Sequence, residues 1–187
     1  MNTLIVDTSH SLLAVGLVQN GTVIMKKQAV LQKQQSEFLM VFVQEVLNAC
    51  HLETKDLHKI VVCDGPGSYT GMRIGITFAK TLTLVHPDLK LYTVDTLLSL
   101  VGNKEGFVFI DARSNRTFGA YCKQGSVSFE RVYLVNEVQN IEGPKFGDLS
   151  LFGEANNYGD VIEQINELEA SWVLVDESDL LVPRYIK

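Results

Sequence analysis

The sequence predicts an α/β fold in which one β-β-β-α unit occurs twice. Residues 1–102 show strand and helix patterns in the order β-β-β-α-β-α-β. The strand pattern then starts again after residue 102. Two landmarks of the first half, the acid that ends the first strand and the turn after the second, recur in the second half at one common spacing of 104 residues. We therefore expect two related lobes in one chain.

The first half begins with three short β-rich runs, at residues 3–6, 12–18 and 22–30. Asn20-Gly21 separates the second run from the third, and this dipeptide is a strong signal for a two-residue hairpin turn. The three runs therefore predict an antiparallel meander. The later patterns predict, in order, a helix from an N-cap at Ser36 to about Cys50, a strand over 59–64, a helix over 71–85, a strand over 91–94 and a short helix to Val101 capped by Asp95.

The second half repeats the start of the first. The run at residues 107–110 ends at Asp111 as the first strand ends at Asp7, and Gln124-Gly125 occupies the place of the first hairpin turn. Chance recurrence is the alternative, because both patterns are common. After the repeat we expect only a short segment at 148–152, a helix over about 157–168 and a strand over 171–175. The second copy is therefore expected to be truncated.

A duplicated β-β-β-α unit describes the ribonuclease-H-like architecture shared by actin, Hsp70 and the sugar kinases, the ASKHA fold. The sequence thus predicts a duplicated ribonuclease-H-like α/β fold with a truncated second lobe. We expect the first lobe over residues 1–102 and the shorter second lobe over residues 103–187.

Composition indicates a globular protein, with 46% hydrophobic and 20% charged residues. No apolar run approaches the roughly 20 residues of a membrane-spanning helix, and the first residues lack the basic start of a signal peptide. The three cysteines have no C-x-x-C spacing, which disfavours a disulfide framework and a structural zinc site. We expect a cytoplasmic location, with no membrane partner and no metal.

The net charge of −6 lies entirely in the second half. Residues 1–102 hold 8 basic and 8 acidic side chains, whereas residues 103–187 hold 8 basic and 14 acidic ones. A protein that binds a phosphate backbone by itself usually has a basic face. If nucleic acid is the substrate, another molecule must therefore supply most of the positive charge.

The segment G-P-G-S-Y-T-G-M-R-I-G at residues 65–75 joins a predicted strand to a helix N-terminus. Exposed amides and the helix dipole favour an anion at such a junction. The alternative is a tight turn in which Ser68 or Thr70 caps the helix. The segment has neither the Walker sequence nor the dinucleotide fingerprint. Combined with the end of the first strand, it gives six candidate phosphate-contacting residues: Asp7, Thr8, Ser9, Gly65, Gly67 and Ser68.

The two helices of the first half have features of an interface. The later one places a small residue at every fourth position from Gly71 to Ala79, which allows another helix to approach closely. The earlier one has six consecutive apolar residues at 38–43, more than a one-sided surface helix needs. Internal packing is the alternative for both. The candidate partner-facing residues are Glu37, Phe38, Val41, Phe42, Gly71, Met72, Gly75 and Ala79.

Two enzyme classes remain as alternatives. Asp7, Glu37 and Asp64 lie on elements that carry two-metal carboxylates in ribonuclease-H-like nucleases. An ATPase of the duplicated fold needs a phosphate loop in each half, but the segment 111–115 of the second half lacks glycine. Both alternatives predict a catalytic centre that the acidic charge and the short second half disfavour.

Isolated histidines and one arginine complete the candidates. The four histidines, at positions 10, 51, 58 and 86, lack metal-binding spacing and are expected at the surface or in loops. Arg73 is the only arginine in residues 1–102. It is expected to pair with an acid across an interface, to hold Asp64, or to be a solvated helix charge.

Four motifs resemble those of one family. Residues 65–75 match G-P-G-S-[FY]-T-G-x-R-x-G, residues 7–9 match D-T-[SA], residues 111–113 match D-A-R, and residues 183–187 match the ending P-x-Y-[IL]-R with lysine in the last place. The sequence therefore resembles the TsaB (YeaZ) family of the bacterial tRNA threonylcarbamoyladenosine machinery. It departs from that family where Gln35 replaces the histidine of H-S-E and in its shorter second half.

The resemblance implies an actin-like fold and a non-catalytic subunit. In that family the partner is TsaD, which carries the metal and transfers a threonylcarbamoyl group to N6 of the adenosine beside the anticodon. The ATPase TsaE joins the pair, and isolated members form homodimers. The contact uses the two helices of the first lobe. The resemblance also implies no cofactor of the chain's own, a nucleotide only at the assembled interface, and tRNA contact only through the complex.

Overall fold

The computed structural model describes residues 1–31 and 33–186 and, within them, forms two β-sheets flanked by helices. The strands are β1 (Asn2–Asp7), β2 (Leu12–Gln19), β3 (Thr22–Val30), β4 (Lys59–Gly65), β5 (Lys90–Asp95), β6 (Gly106–Arg113), β7 (Arg116–Lys123), β8 (Ser126–Leu134), β9 (Lys145–Gly147) and β10 (Val173–Leu174). The helices are α1 (Gln35–Ala49), α2 (Tyr69–Val85), α3 (Thr96–Ser99), α4 (Val135–Gln139) and α5 (Val161–Glu167). Lys187, the last residue of the family-like ending, lies outside the described residues.

The first sheet has the order β10-β5-β4-β1-β2-β3. Strands β1, β2 and β3 form the predicted antiparallel meander, and β4 and β5 run parallel to β1. The turn between β2 and β3 uses Asn20 and Gly21, both at positive φ, as a two-residue hairpin requires. Because β1 and β4 are parallel neighbours, the loops that follow them leave the same edge of the sheet side by side.

The second sheet repeats this topology in the order β8-β7-β6-β9. Strands β6, β7 and β8 form a second antiparallel meander, and β9 runs parallel to β6 as β4 does to β1. Gln124 and Gly125 again have positive φ at the hairpin. This sheet has no counterpart of β5 among the described residues. The predicted duplicated ribonuclease-H-like fold with a truncated second copy is confirmed.

Alternating residues of β1 face two different cores. Leu4 and Val6 pack beneath α1 and α2, whereas Ile5 points to the opposite face of the sheet. That opposite face joins α3, α5 and residues of the second sheet, such as Val108, in one hydrophobic cluster. Burial on both faces explains why the central strands are continuous apolar runs. The two sheets therefore share this core, and the second sheet has a further, smaller cluster around Phe107 and Phe109.

Three expectations from the sequence need correction. Ser36 does not cap α1, because Gln34 occupies the N-cap position and Gln35 is already helical. The predicted helix over 157–168 is limited to α5, since the Asp160 side chain accepts from Glu163 N and caps the helix there. The strand expected at 171–175 is only β10, and it pairs antiparallel with β5 at the edge of the first sheet.

The second half of the chain returns to the first sheet after β9. Helix α5 packs against β1, β2 and β3, and Ile162 lies so close to Gly16 that a β-carbon there would overlap it. The predicted boundary after residue 102 falls in the turn before β6. Since α5 and β10 pack on the first sheet, the division into lobes 1–102 and 103–187 stays a prediction.

Strand β3 forms the outer edge of the first sheet and carries two paired lysines. Lys26 Nζ lies 2.6 Å from Asp160 and 2.7 Å from Glu163, and Lys27 forms an ion pair with Glu45 of α1. The edge therefore presents charged side chains to solvent.

Among the helices that the structure describes, none combines the length and the apolar character needed to cross a lipid bilayer.

Candidate functional site

The loop after β1 and the loop after β4 meet at the carboxyl edge of the first sheet. We call residues 7–9 the β1 loop and residues 65–68 the glycine loop. The Thr8 hydroxyl donates to the Gly71 carbonyl at 2.7 Å, and the Ser68 N–H donates to the Ser9 carbonyl at 2.6 Å. The six candidate phosphate-contacting residues are therefore brought together, but they contact each other directly.

Glycines of the glycine loop and of α2 make this contact possible. A β-carbon at Gly67 would overlap the Ser9 carbonyl oxygen, and one at Gly71 would overlap the Thr8 carbonyl oxygen. A β-carbon at Gly75 would lie 2.6 Å from Thr8 Oγ1. The β1 loop occupies the stripe at Gly71 and Gly75, and Ala79 is buried in the hydrophobic core, which corrects the expectation that the stripe faces a partner.

Ser68 has the capping role that the sequence left open. Its hydroxyl accepts from the Gly71 N–H at 3.2 Å, and its backbone is extended, as is usual at an N-cap. One of the free amides at the start of α2 is therefore satisfied within the chain. Thr70 is exposed and helical.

Asp7 is completely buried behind the β1 loop and surrounded by hydrogen-bond donors. It accepts from the Ser9 N–H at 2.8 Å, from the Ser9 hydroxyl at 2.6 Å, from Ser99 at 3.4 Å and from His10 Nε2 at 3.2 Å. Burial by itself would raise the pKa of Asp7, but His10 and Ser9 hold that pKa below its ordinary value. The carboxylate is therefore stabilised as an anion inside the protein.

His10 corrects another expectation, because it is buried rather than at the surface. Its Nδ1 accepts from the Leu12 N–H at 3.4 Å, which leaves the proton on Nε2 to be donated to Asp7. The ring also lies against Tyr158, with ring centroids 5.1 Å apart. Tyr158 in turn bonds Asp148, near the end of β9, so this network connects the β1 loop with the second half.

These contacts do not fit a nucleotide phosphate or a catalytic metal. A phosphate between the two loops would need the space that the Thr8 and Ser9 carbonyls occupy. It would also need the Ser68 N–H, which already donates to the Ser9 carbonyl. The three acids of the nuclease hypothesis also diverge, since Asp7 is buried, Glu37 is exposed on α1, and Asp64 faces Arg184. Within residues 1–31 and 33–186, no group of three potential ligands could hold a metal ion. The three acids therefore do not form the two-metal arrangement of the nuclease alternative.

The eight predicted partner-facing residues separate into two groups. Glu37 and Val41 are exposed and Phe38 is half-buried, all on α1. The other five are buried in the chain's own core, which corrects the prediction for Phe42, Gly71, Met72, Gly75 and Ala79. Phe42 is only 4% exposed because it faces β3, where Lys27 Nζ lies 4.4 Å from its ring centroid.

An apolar surface nevertheless crosses both helices on their outward side. Met40 and Val41 of α1 are 49% and 42% exposed. Phe38 of α1 and Ile74 and Phe78 of α2 are half-buried at the edge of the core. We call these five residues the α1–α2 surface. It differs from the predicted seam in using the outward residues of α2 instead of its glycines.

Arg184 is a site residue that the sequence did not reveal. Its guanidinium bonds Glu130 at 2.6 Å, the Gly65 carbonyl at 2.6 Å and the Asp95 carboxylate, and lies 3.9 Å from Asp64. Arg73 of α2, for which holding Asp64 was one of three alternatives, instead contacts Tyr69 and Tyr185. No local signal links Arg184 to acids that lie 54 to 120 positions earlier in the chain.

Three carboxyl groups around one arginine leave an excess of negative charge. Burial raises the pKa of Asp95 to about 7. The positive charge of Arg184 opposes this rise, and the negative charge of Glu130 adds to it. Burial also raises the pKa of Asp64, again opposed by Arg184. Asp95 Oδ1 caps α3 by accepting from the Leu97 and Leu98 amides. Protonation of Asp95 is therefore easier in the folded chain than in the unfolded one.

A family model described as TsaD, tRNA N6-adenosine threonylcarbamoyltransferase, matches residues 26–129, more than half of the chain. The chain belongs to this family. Among its curated relatives, the tRNA threonylcarbamoyladenosine biosynthesis protein TsaB of Bacillus subtilis is 42% identical over 107 residues, which cover 57% of this chain and 46% of that protein. TsaB of Escherichia coli is 28% identical over 127 residues, 64% of this chain and 54% of that protein.

The chain spans about half the length of these curated relatives in the matched regions. A solved structure described as YeaZ from Pseudomonas aeruginosa has a TM-score of 0.73 at 19% identity and covers 99% of both chains. At that identity the match establishes the fold. The names of these curated relatives agree with the TsaB resemblance seen in the sequence.

The first prediction tests the stripe on α2. Gly71→Ala should lower the free energy of unfolding by about 2 kcal/mol, because the added methyl group overlaps the Thr8 carbonyl. Urea unfolding measures the change. Thr77→Ala, on the exposed face of the same helix, is the matched control and should change it by less than about 0.5 kcal/mol. A Gly71→Ala variant as stable as the parent chain would contradict the contact.

The second prediction concerns pH. Because the pKa of Asp95 rises from 3.8 to about 7 on folding, the folded state binds its proton more tightly throughout that interval. Stability from this group is fully present below pH 3.8 and is lost as the pH rises towards 7. Asp95→Asn keeps the capping oxygen and should flatten the fall in unfolding free energy between about pH 4 and about pH 7.

The control for the pH prediction is Asp88→Asn, at an exposed turn position. Urea unfolding gives the free energy of unfolding of both variants over the pH series. This free energy should fall with pH as steeply in Asp88→Asn as in the parent chain, and less steeply in Asp95→Asn. An unchanged slope in Asp95→Asn would assign the pH dependence to other groups.

Proposed function

We propose that this chain is a non-catalytic subunit for the threonylcarbamoyladenosine modification of tRNA. In this proposal it binds a TsaD-type threonylcarbamoyltransferase through the α1–α2 surface and supports the activity of that enzyme at the adenosine beside the anticodon. The observation that carries the proposal is the apolar α1–α2 surface, where Met40 and Val41 are exposed on a helix whose opposite side already covers the sheet.

Physical chemistry supports a partner at this surface. Large apolar side chains that are exposed on one helix, beside half-buried ones on its neighbour, are typical of protein interfaces. The family of the chain, and the names of the curated relatives, support the choice of partner and pathway. A stable heterodimer would bury on the order of 1,600 Å² in total. A homodimer of the isolated chain would use the same surface and compete with the enzyme.

The internal contacts of the β1 loop support a non-catalytic role. In an ATPase of this fold the two loops would leave room for a phosphate, whereas here Thr8 and Ser9 bond the start of α2 directly. Asp7, the acid of that loop, is already saturated with donors from the chain itself. We therefore assign no cofactor to this chain and place any nucleotide at the assembled interface.

The charge of the chain supports indirect contact with tRNA. The net charge is −6, so we assign the phosphate contacts to the partner enzyme rather than to this chain.

An ATPase of the TsaE type is the further expected partner, and the cytoplasm is the expected location.

The third prediction tests the surface. Val41→Glu should weaken binding to a TsaD-type enzyme by at least about tenfold, since a carboxylate would be buried without a partner in the interface. Isothermal titration calorimetry with the purified enzyme measures the affinity.

The control for this surface is Val173→Glu, the same exchange at an exposed position of β10. It should leave the affinity unchanged, and thermal unfolding should show that both variants fold. Equal affinity of Val41→Glu and the parent chain would exclude the α1–α2 surface as the contact.

The fourth prediction tests the absence of catalysis. The purified chain alone should neither hydrolyse ATP nor modify tRNA, because the β1 loop has no free phosphate-binding groups. Phosphate release and incorporation of labelled threonine measure the two activities. Turnover that Asp7→Asn abolishes would instead support the ATPase alternative.

A further inference from the structure

The segment at residues 173–186 runs from the edge of the first sheet to the glycine loop. It starts as β10 on β5 and continues with the Val175 N–H donating to the Leu91 carbonyl at 2.9 Å. Lys80 of α2 then donates to the carbonyls of Asp179 at 2.6 Å and Leu181 at 3.2 Å. Most of these bonds are to backbone atoms, so they hold the path of the segment with little dependence on its side chains.

Arg184 fixes the far end of this segment to three parts of the molecule. Its backbone N–H donates to the Asp64 carbonyl at 2.8 Å, and its guanidinium donates to the Gly65 carbonyl. The same guanidinium bonds Asp95 at the end of β5 and Glu130 of β8. One side chain thus connects the segment, the carboxyl edge of the first sheet, and the second sheet.

A strained bulge in β8 brings Glu130 to this position. The pairing of β7 with β8 shifts register beside Gly119 and Tyr121. Phe129 there has a φ of +54°, which is unusual for a bulky residue, and its ring is 76% exposed. The Tyr133 hydroxyl donates to the Phe129 carbonyl at 2.7 Å and holds the bulge. The strained backbone at Phe129 therefore lies next to Glu130, whose carboxylate turns inward to Arg184.

The residue after Arg184 lies on the first turn of α2. The ring of Tyr185 stacks on that of Tyr69, with centroids 5.4 Å apart and an angle of 22°. Arg73 Nε donates to the Tyr185 hydroxyl at 3.2 Å, and the guanidinium lies 3.9 Å from the Tyr69 ring centroid. Tyr69 and Tyr185 remain 57% and 46% exposed. The result is an exposed group of two tyrosines and an arginine.

We propose that Arg184 is a positioning residue for partner binding, because it holds Tyr185 on Tyr69 and so extends the α1–α2 surface along the start of α2. This inference rests on the proposed function and names the same TsaD-type partner. Tyrosine and arginine are among the side chains that contribute most to interface energies. A stacked pair that is already ordered also loses little side-chain freedom on binding.

A double-mutant cycle tests the proposal. Arg184→Gln, Tyr185→Ala and the double variant are titrated with the TsaD-type enzyme by calorimetry. Each single substitution should weaken binding by about tenfold, and the double variant should be no weaker than either single one. If Arg184 had a merely structural role, the losses of affinity in the two single variants would add in the double variant. Non-additive losses therefore indicate that Arg184 acts through Tyr185. Thermal unfolding is measured separately for each variant.

Arg116→Gln, an exposed arginine at the β6–β7 turn, is the matched control and should leave affinity unchanged. Should Arg184→Gln not fold, Arg184→Lys replaces it in the cycle, since a lysine keeps the positive charge beside the acids but cannot contact Glu130, Asp95 and the Gly65 carbonyl together. Unchanged affinity of the arginine variant, or additive losses, would overturn the proposal while leaving the proposed function intact. Absence of binding by the unsubstituted chain would overturn both.

Discussion

The direct contact between the β1 loop and the start of α2 is the constraint on which the rest of the structure depends. Parallel pairing of β1 with β4 brings the two loops to one edge of the sheet. Glycine at positions 67, 71 and 75 then lets Thr8 and Ser9 lie directly against the glycine loop and the helix. The contact fixes α2 on the sheet, fills the space that a phosphate would need, and leaves the outer side of α2 free for other molecules.

A partner role follows from how the surfaces are distributed. The inward sides of α1 and α2 are occupied by the sheet and the β1 loop, whereas their outward sides carry half-buried and exposed apolar residues. The core on the opposite side of the sheet is shared with the second half of the chain. The second half thus closes one face of the first sheet and, through Arg184, reaches the edge where α2 begins.

Much of the fold could be predicted from the sequence because it depends on near neighbours. Strand periodicity, the Asn20-Gly21 turn and the caps at Ser68 and Asp95 are local features, and the structure has all of them. The side to which the glycine stripe points could not be predicted, since small residues permit approach by a foreign helix or by the chain's own loop. Arg184 and His10 were missed for a similar reason, because their partners are determined by tertiary packing.

The edges of the two sheets bear on the kind of contact that the molecule can make. An unpaired strand edge is a template for adding a strand from another protein, and it is a common route to aggregation. Here β3 carries Lys26 and Lys27 in ion pairs along its edge, and β8 is distorted by the bulge at Phe129. Both features discourage strand addition at these two edges, which favours recognition of this chain by other proteins through side-chain packing.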